Sequence, residues 1–255
     1  MGLLALPAWL GEIWRNHSDA GTKGGVIRSF KTHAAILPPV QQRLWAELSP
    51  TAGLGMVLYG GTAIALRIGH RFSVDFDFFT DRPLDKKEIR DALSFLSGSL
   101  IIQDSLDTLS VLVTLGQESL QSVKVSFFGS IGFGRVGEPE LTEDGVLQVA
   151  SLDDLMATKV KVILQRIEAK DYRDIAAMLK ADVSLAKGLA AARAMYGREF
   201  QPMESLKALV YFEGGDLHTL TVEEKETLIE AARGIRTLPQ VLSVSRELAL
   251  PMGET

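Results

Sequence analysis

The sequence predicts an α+β protein, a mixed sheet with helices from about residue 50 to 150 and a helical part from 151 to 255. Three observations carry this. Strand-like runs with period-two alternation cluster between Met56 and Ala150, whereas helical patterns dominate from Ser151 onward, unlike the regular alternation of α/β proteins. The stretch Met56–Thr80, MVLYGGTAIALRIGHRFSVDFDFFT, reads as strand, turn, short helix and second strand. No internal repeat or low-complexity tract suggests a solenoid or a tail.

Taken in order, residues 1–49 read as a helical arm. A short helix over Pro7–Asn16 presents Leu10, Ile13 and Trp14, and a polar linker (His17–Gly25) follows. In a second helix over Pro38–Leu48, Val40, Leu44 and Leu48 recur at i, i+4 and i+8. Val57-Leu58-Tyr59 is an apolar strand broken by Gly60-Gly61, with Thr62 as N-cap of a helix over Ala63–Ile68. In Ser73–Phe78 the alternation puts Ser73, Asp75 and Asp77 on one face and Val74, Phe76 and Phe78 on the other, in a core. Asp85, with Glu88 three residues on, starts a helix to about Ser97 that buries Ile89, Leu93 and Leu96. Strands are expected over Leu100–Asp104, Thr108–Leu115, Ser122–Phe128 and Gly145–Ala150, with a glycine-rich loop at Gly129–Gly137. Helices are expected over Leu152–Glu168, Asp171–Lys180, Leu185–Tyr196, Glu204–Val210 and Val222–Ile235. Asp153 and Asp154 lie in the first turn of the Leu152 helix, where its dipole favours acids.

Composition bounds the chemistry. Length of 255 residues allows a sizeable core, and 46% hydrophobic with 23% charged residues is ordinary for a globular chain. A net charge of −5 argues against a broadly basic nucleic-acid coating, though not against a local patch. Zero cysteines exclude disulfides, thiolate zinc sites and cysteine nucleophiles, and four scattered histidines argue against a histidine-rich metal centre. No apolar run approaches the ~20 residues of a membrane span, so the expected location is cytoplasmic.

Chemistry concentrates in Met56–Thr80. A Gly-Gly turn opening a helix can offer backbone N–H groups and a positive helix end to phosphates. Asp75 and Asp77 stand roughly 7 Å apart at about 3.3 Å per residue. Hard cations such as Mg²⁺ take carboxylate oxygens and substrate phosphates together. Within 18 residues the chain thus places phosphate donors beside metal ligands.

These residues carry a family resemblance. Gly60-Gly61-Thr62-Ala63, Leu66-Arg67, Gly69-His70-Arg71, Ser73, Asp75, Asp77 and Phe79 resemble the signature of the AbiEii/AbiGii nucleotidyltransferase toxins, in the DNA polymerase β-like superfamily. Leu155–Lys159, Arg166 and Lys170-Asp171-Tyr172-Arg173-Asp174-Ile175 resemble the family's later Lys and Arg-Asp-x-x-Asp motifs. The resemblance implies a polymerase β-like core and transfer of a nucleoside monophosphate from an NTP, with Asp75 and Asp77 holding Mg²⁺. It further implies that Gly60, Gly61 and Thr62 cradle the triphosphate and that Lys159 pairs with phosphates. Asp174 would orient Lys159 or the acceptor, and Arg71 and Ser73 would support the carboxylates or contact nucleotide. The superfamily's third carboxylate is missing, since Val123–Phe127 offers only Lys124 and Ser126 on its polar face. His70 reads as a capping or packing residue.

Relatives that modify the 3′ end of tRNA imply an RNA acceptor, and toxin relatives imply an antitoxin protein. Residues 157–198 hold nine Lys/Arg against four Asp/Glu, an excess that a basic RNA-binding face would show. Tyr172, Tyr196 and Phe200 are candidates for base stacking or for core. A non-catalytic nucleotide- or protein-binding relative is the alternative; a metal-dependent phosphohydrolase fits less well, lacking a second metal site.

Overall fold

The fold is organised by one eight-stranded mixed sheet. In this computed structural model the described residues are 27–114 and 122–252. The sheet strands are β1 (Ser29–Phe30), β2 (Val57–Tyr59), β3 (Asp75–Phe79), β4 (Leu100–Ser105), β5 (Thr108–Thr114), β6 (Ser122–Phe128), β7 (Glu140–Thr142) and β8 (Gln148–Val149). Their order across the sheet is β1-β7-β8-β2-β3-β6-β5-β4. β3 lies at its centre, antiparallel to β2 and parallel to β6.

Alternation along the strands explains which face is buried. Phe76 and Phe78 share a face with Val123, Val125 and Phe127, and all five are fully buried. Phe78 stacks on Phe127 at 5.7 Å, and Phe76 lies 6.3 Å from Trp45. Val40, Leu44 and Leu48 cover this face from helix α1 (Pro39–Leu44) and the 3-10 turn Trp45–Leu48, on the expected side. A further single turn, α2 (Pro50–Gly53), leads into β2.

The opposite face carries Asp75 and Asp77. The remaining helices are α3 (Gly60–Ile68), α4 (Lys86–Ala92), α5 (Leu152–Val162), α6 (Ala169–Lys180), α7 (Leu185–Tyr196), α8 (Pro202–Leu209) and α9 (Val222–Gly234). Local signals account for several termini. Asp85 accepts from the N–H groups of Lys87 and Glu88, Ser151 caps α5 through Asp154 N–H, and Thr221 with Glu224 forms a capping box. Tyr172 packs between helices, as a core residue would, with its hydroxyl donating to the Ala208 carbonyl at 3.1 Å. Arg67 anchors α3 to the sheet, donating to the Val149 and Ala150 carbonyls and pairing with Glu140 at 2.6 Å. Arg28–Met252 form one compact unit.

Several local expectations need correction. Helix α3 starts at Gly60, and its N-cap Tyr59 provides no side-chain cap; Thr62 lies inside the first turn. β3 begins only at Asp75, so Val74 is 55% exposed instead of buried. α5 ends at Val162, well short of Glu168, before a turn that carries Arg166. The last strand shrinks to Gln148–Val149, and the two- and three-residue strands β1 and β7, too short for periodicity to register, were not foreseen. The expected Pro7–Asn16 helix lies outside the described residues. No helix among the described residues is long and apolar enough to cross a membrane.

Candidate active site

A cleft of about 520 Å³ opens between β3 and helices α3 and α5. Gly60, Gly61 and Thr62 form one wall, Asp75 and Asp77 the floor, and Lys159, Lys161, Arg166 and Lys170 the opposite side. Lys124 and the aromatic residues Tyr59, Phe79, Phe128 and Tyr196 also line it. Every site residue predicted from sequence except Asp174 lines this cleft, and Asp174 lies directly behind it.

The glycine turn is built for close approach. Tyr59 pairs with Asp77 across the sheet, so the chain leaving β2 passes directly over the carboxylate. Gly60 has φ +75°, and a Cβ there would lie 2.9 Å from Asp77 Oδ2. A Cβ on Gly61 would overlap the Arg71 guanidinium. Since no side chain caps α3, its first N–H groups remain available to an anion in the cleft. Gly60→Ala should therefore destabilise the fold by about 1–2 kcal/mol from left-handed strain alone; a urea midpoint checks this.

Thr62 and Ser73 brace the strand that carries the carboxylates. Both are buried, and the Thr62 hydroxyl donates to the Asp75 carbonyl and shares a 2.8 Å hydrogen bond with Ser73. Their side chains fasten the start of β3 to α3.

Asp75 and Asp77 are the uncompensated acids. Among the described residues neither makes a salt bridge. Burial and the neighbouring Asp75 charge raise the Asp77 carboxyl above its ordinary value; Lys124 and Lys159 offset only part of this. Among the described residues no group of three His, Cys, Asp or Glu side chains could hold a metal.

The other acids are saturated. Lys159, only 4% exposed, bonds Asp171 at 2.6 Å and Asp174 at 2.7 Å. Arg71 bridges both oxygens of Asp174 at 2.6 and 3.0 Å, and His70 Nε2 adds a contact at 2.8 Å. Arg166 clamps Asp171 at 2.8 and 3.1 Å. Burial alone would raise the Asp174 carboxyl, but Lys159, His70 and Arg71 hold it well below the carboxylate range. Asp171 is likewise lowered: burial opposes, but Arg166 and Lys159 outweigh it. Lys159 is thus a buried tie between α5 and α6 instead of a free point charge, and Arg71 belongs to the same network. Sequence reading missed the structural weight of His70, Asp171 and Arg166. Their partners on other elements leave no periodic signal.

Of the nine Lys/Arg between residues 157 and 198, Lys159, Lys161, Arg166 and Lys170 line the cleft, and Lys161, Arg193 and Arg198 make no salt bridge among the described residues. Lys159, Arg166, Lys170, Arg173, Lys180 and Lys187 are all ion-paired, several with acids outside that window such as Asp153, Glu223 and Glu224. Phe200 is buried core, while Tyr196 reaches the cleft.

The family described as nucleotidyl transferase AbiEii toxin of type IV toxin–antitoxin systems matches residues 43–235. An uncharacterized Aquifex aeolicus protein is 34% identical over 158 residues, spanning 61% of this chain and 73% of that protein. MenT4, a nucleotidyltransferase toxin of Mycobacterium tuberculosis, superposes with a TM-score of 0.54 at 14% identity, covering 77% of this chain and 82% of its own. An antigenic nucleotidyltransferase-like protein of Paracoccidioides brasiliensis gives 0.51 at 14% identity, with 81% and 95% covered. These two likenesses show a nucleotidyltransferase fold, and with the family match over three quarters of its length the chain belongs to the AbiEii nucleotidyltransferase toxins.

Proposed function

We propose that the cleft transfers a nucleoside monophosphate from an NTP to an acceptor in a Mg²⁺-dependent reaction. One observation carries this reading: two carboxylates that make no salt bridge among the described residues face an uncapped helix N-terminus in a cleft, while the buried acids behind it, Asp171 and Asp174, are already ion-paired. The donor set fits the metal, because two acidic oxygens leave positions for phosphates and water, as Mg²⁺ prefers. Asp75 and Asp77 would hold the ion, which when bound neutralises charge on the phosphates. The N–H groups of Gly60, Gly61 and Thr62 would receive the triphosphate, and Lys161 would add charge on the far wall. An acceptor oxygen forms a bond to the α-phosphorus, the α–β bridging P–O bond breaks, and pyrophosphate leaves with the electron pair. The acceptor's proton passes to water in the open cleft. The resemblance to toxins that modify tRNA makes the tRNA 3′ end or another RNA the first acceptor to test. An antitoxin protein is the expected counterpart, in the cytoplasm.

A second reading, a non-catalytic nucleotide binder, is favoured by Lys124 and Ser126 opposite Asp75 and Asp77, where a further acid would assist metal binding. Incubation with Mg²⁺, each α-labelled NTP and total tRNA separates the two. Label moving to RNA or protein, and lost in Asp75→Asn, supports transfer. Nucleotide binding without any label transfer supports the second reading, and free phosphate alone would indicate hydrolysis instead.

A further inference from the structure

The central strand has a different neighbour on each side. Towards β2, Tyr59 and the glycine turn stand beside Asp77. Towards β6, Lys124 stands in register with Asp75 and Ser126 with Asp77. Neighbouring strands lie about 4.8 Å apart, so side chains in register on one face are in direct reach of each other. Lys124, Asp75 and Asp77 all line the cleft. Lys124 makes no salt bridge among the described residues, unlike Lys159, Arg166 and Arg71. The phosphate-receiving turn therefore lies on one flank of the carboxylate pair and an uncommitted ammonium on the other.

Two-metal transfer sites hold their ions about 3.5–4 Å apart with shared carboxylates. Here the place beside the pair, on the flank away from the phosphate turn, is filled by a side chain that is itself cationic. A second ion there would meet a like charge at contact range and gain no acidic ligand. Resting on the transfer reading above, we propose that the carboxylate pair holds a single divalent cation and that Lys124 supplies the second positive charge, on the acceptor side. The ammonium contacts the attacking oxygen of the acceptor and compensates charge as the O–P bond forms. The acceptor proton still leaves to water, and pyrophosphate still departs on the glycine-turn side.

The test counts metal as well as turnover. Mn²⁺ binding is titrated by electron paramagnetic resonance, without nucleotide, on wild type, Lys124→Ala and Lys124→Asp, with circular dichroism melts to verify folding. The expected result is one Mn²⁺ per wild-type chain, one bound at least threefold more tightly in Lys124→Ala, and two in Lys124→Asp. In the transfer assay Lys124→Ala should lose at least a hundredfold in kcat, with Lys124→Arg within tenfold of wild type. Two Mn²⁺ in wild type, none, or an unchanged Mn²⁺ affinity in Lys124→Ala would overturn the proposal. So would wild-type kcat in that variant. Should wild type transfer no label to any acceptor, the transfer reading fails, and the metal count alone still decides where the second charge resides.

Discussion

Asp77→Asn is expected to cut the proposed nucleotide transfer at least a hundredfold and, at the same time, to raise the melting temperature of the free protein. The two effects share one cause. Burial and the nearby Asp75 charge push the Asp77 carboxyl above its ordinary value, so its ionised form at neutral pH costs stability in the metal-free fold. An amide of the same shape removes that cost. A gain of about 1 kcal/mol would move Tm by about 2–4 °C in a chain of this size. The sign follows from the direction of the shift. A carboxyl raised in the folded state penalises the wild type above its folded pKa, and the penalty disappears as pH falls through that value. The variant's advantage should therefore be full at neutral pH and fade in acid. Transfer should fall by about 10²–10³-fold or more, the range seen when one preorganised electrostatic contact is removed. Added Mg²⁺ should raise Tm in wild type but not in the variant. If expression of the wild type impairs growth, this substitution should relieve the impairment. A variant that is less stable than wild type without metal would show that the carboxylate pair is compensated in a way the cleft does not reveal.

Asp174→Ala carries the largest expected stability loss, about 3–5 kcal/mol, the usual range when one partner of a buried ion network is removed. Asp174 is fully buried and gathers Lys159, Arg71 and His70 from two other elements. Lys159 can fall back on Asp171, already shared with Arg166, but Arg71 and His70 lose their acidic partner. The urea midpoint should drop accordingly. The pH dependence has the opposite sign to that of Asp77. A carboxyl lowered in the fold contributes stability above its unfolded value of 3.8, and this contribution is lost as pH falls from there towards the lower folded value. Asp174→Asn should flatten the acid limb of the stability profile below about pH 4 relative to wild type. A cost under about 1 kcal/mol for Asp174→Ala would show that the network is no stronger than a surface pair.

Some of the site was legible because it is local. The alternation in Ser73–Phe78 puts Asp75 and Asp77 on one face whatever the strand pairs with, since successive residues of a strand point to opposite sides. Gly60-Gly61 marks a sharp turn into a helix for an equally local reason, glycine's freedom at positive φ. The same short-range logic identified β6 (Ser122–Phe128) and α7 (Leu185–Tyr196) at their observed boundaries. It failed where a tertiary bond overrode propensity. Thr62 looks like an N-cap, but the Asp75 carbonyl and Ser73 claim its hydroxyl, and the helix begins two residues earlier. Nothing local in the Leu155–Lys159 motif shows that α6 packs beside α5 and buries Lys159 between two aspartates.

By itself the sequence determined the α+β layout, the paired aspartates, the glycine turn and membership of a nucleotidyltransferase toxin family. All of these are written in periods of two or 3.6 residues or in short motifs. Only the tertiary structure decided that β6 lies beside β3 with Lys124 opposite Asp75, and that Asp174 reaches back across 103 residues to Arg71. Strand order and register depend on how whole faces fit together. No local period carries that information, so the charge balance of the cleft emerges only when the sheet is assembled.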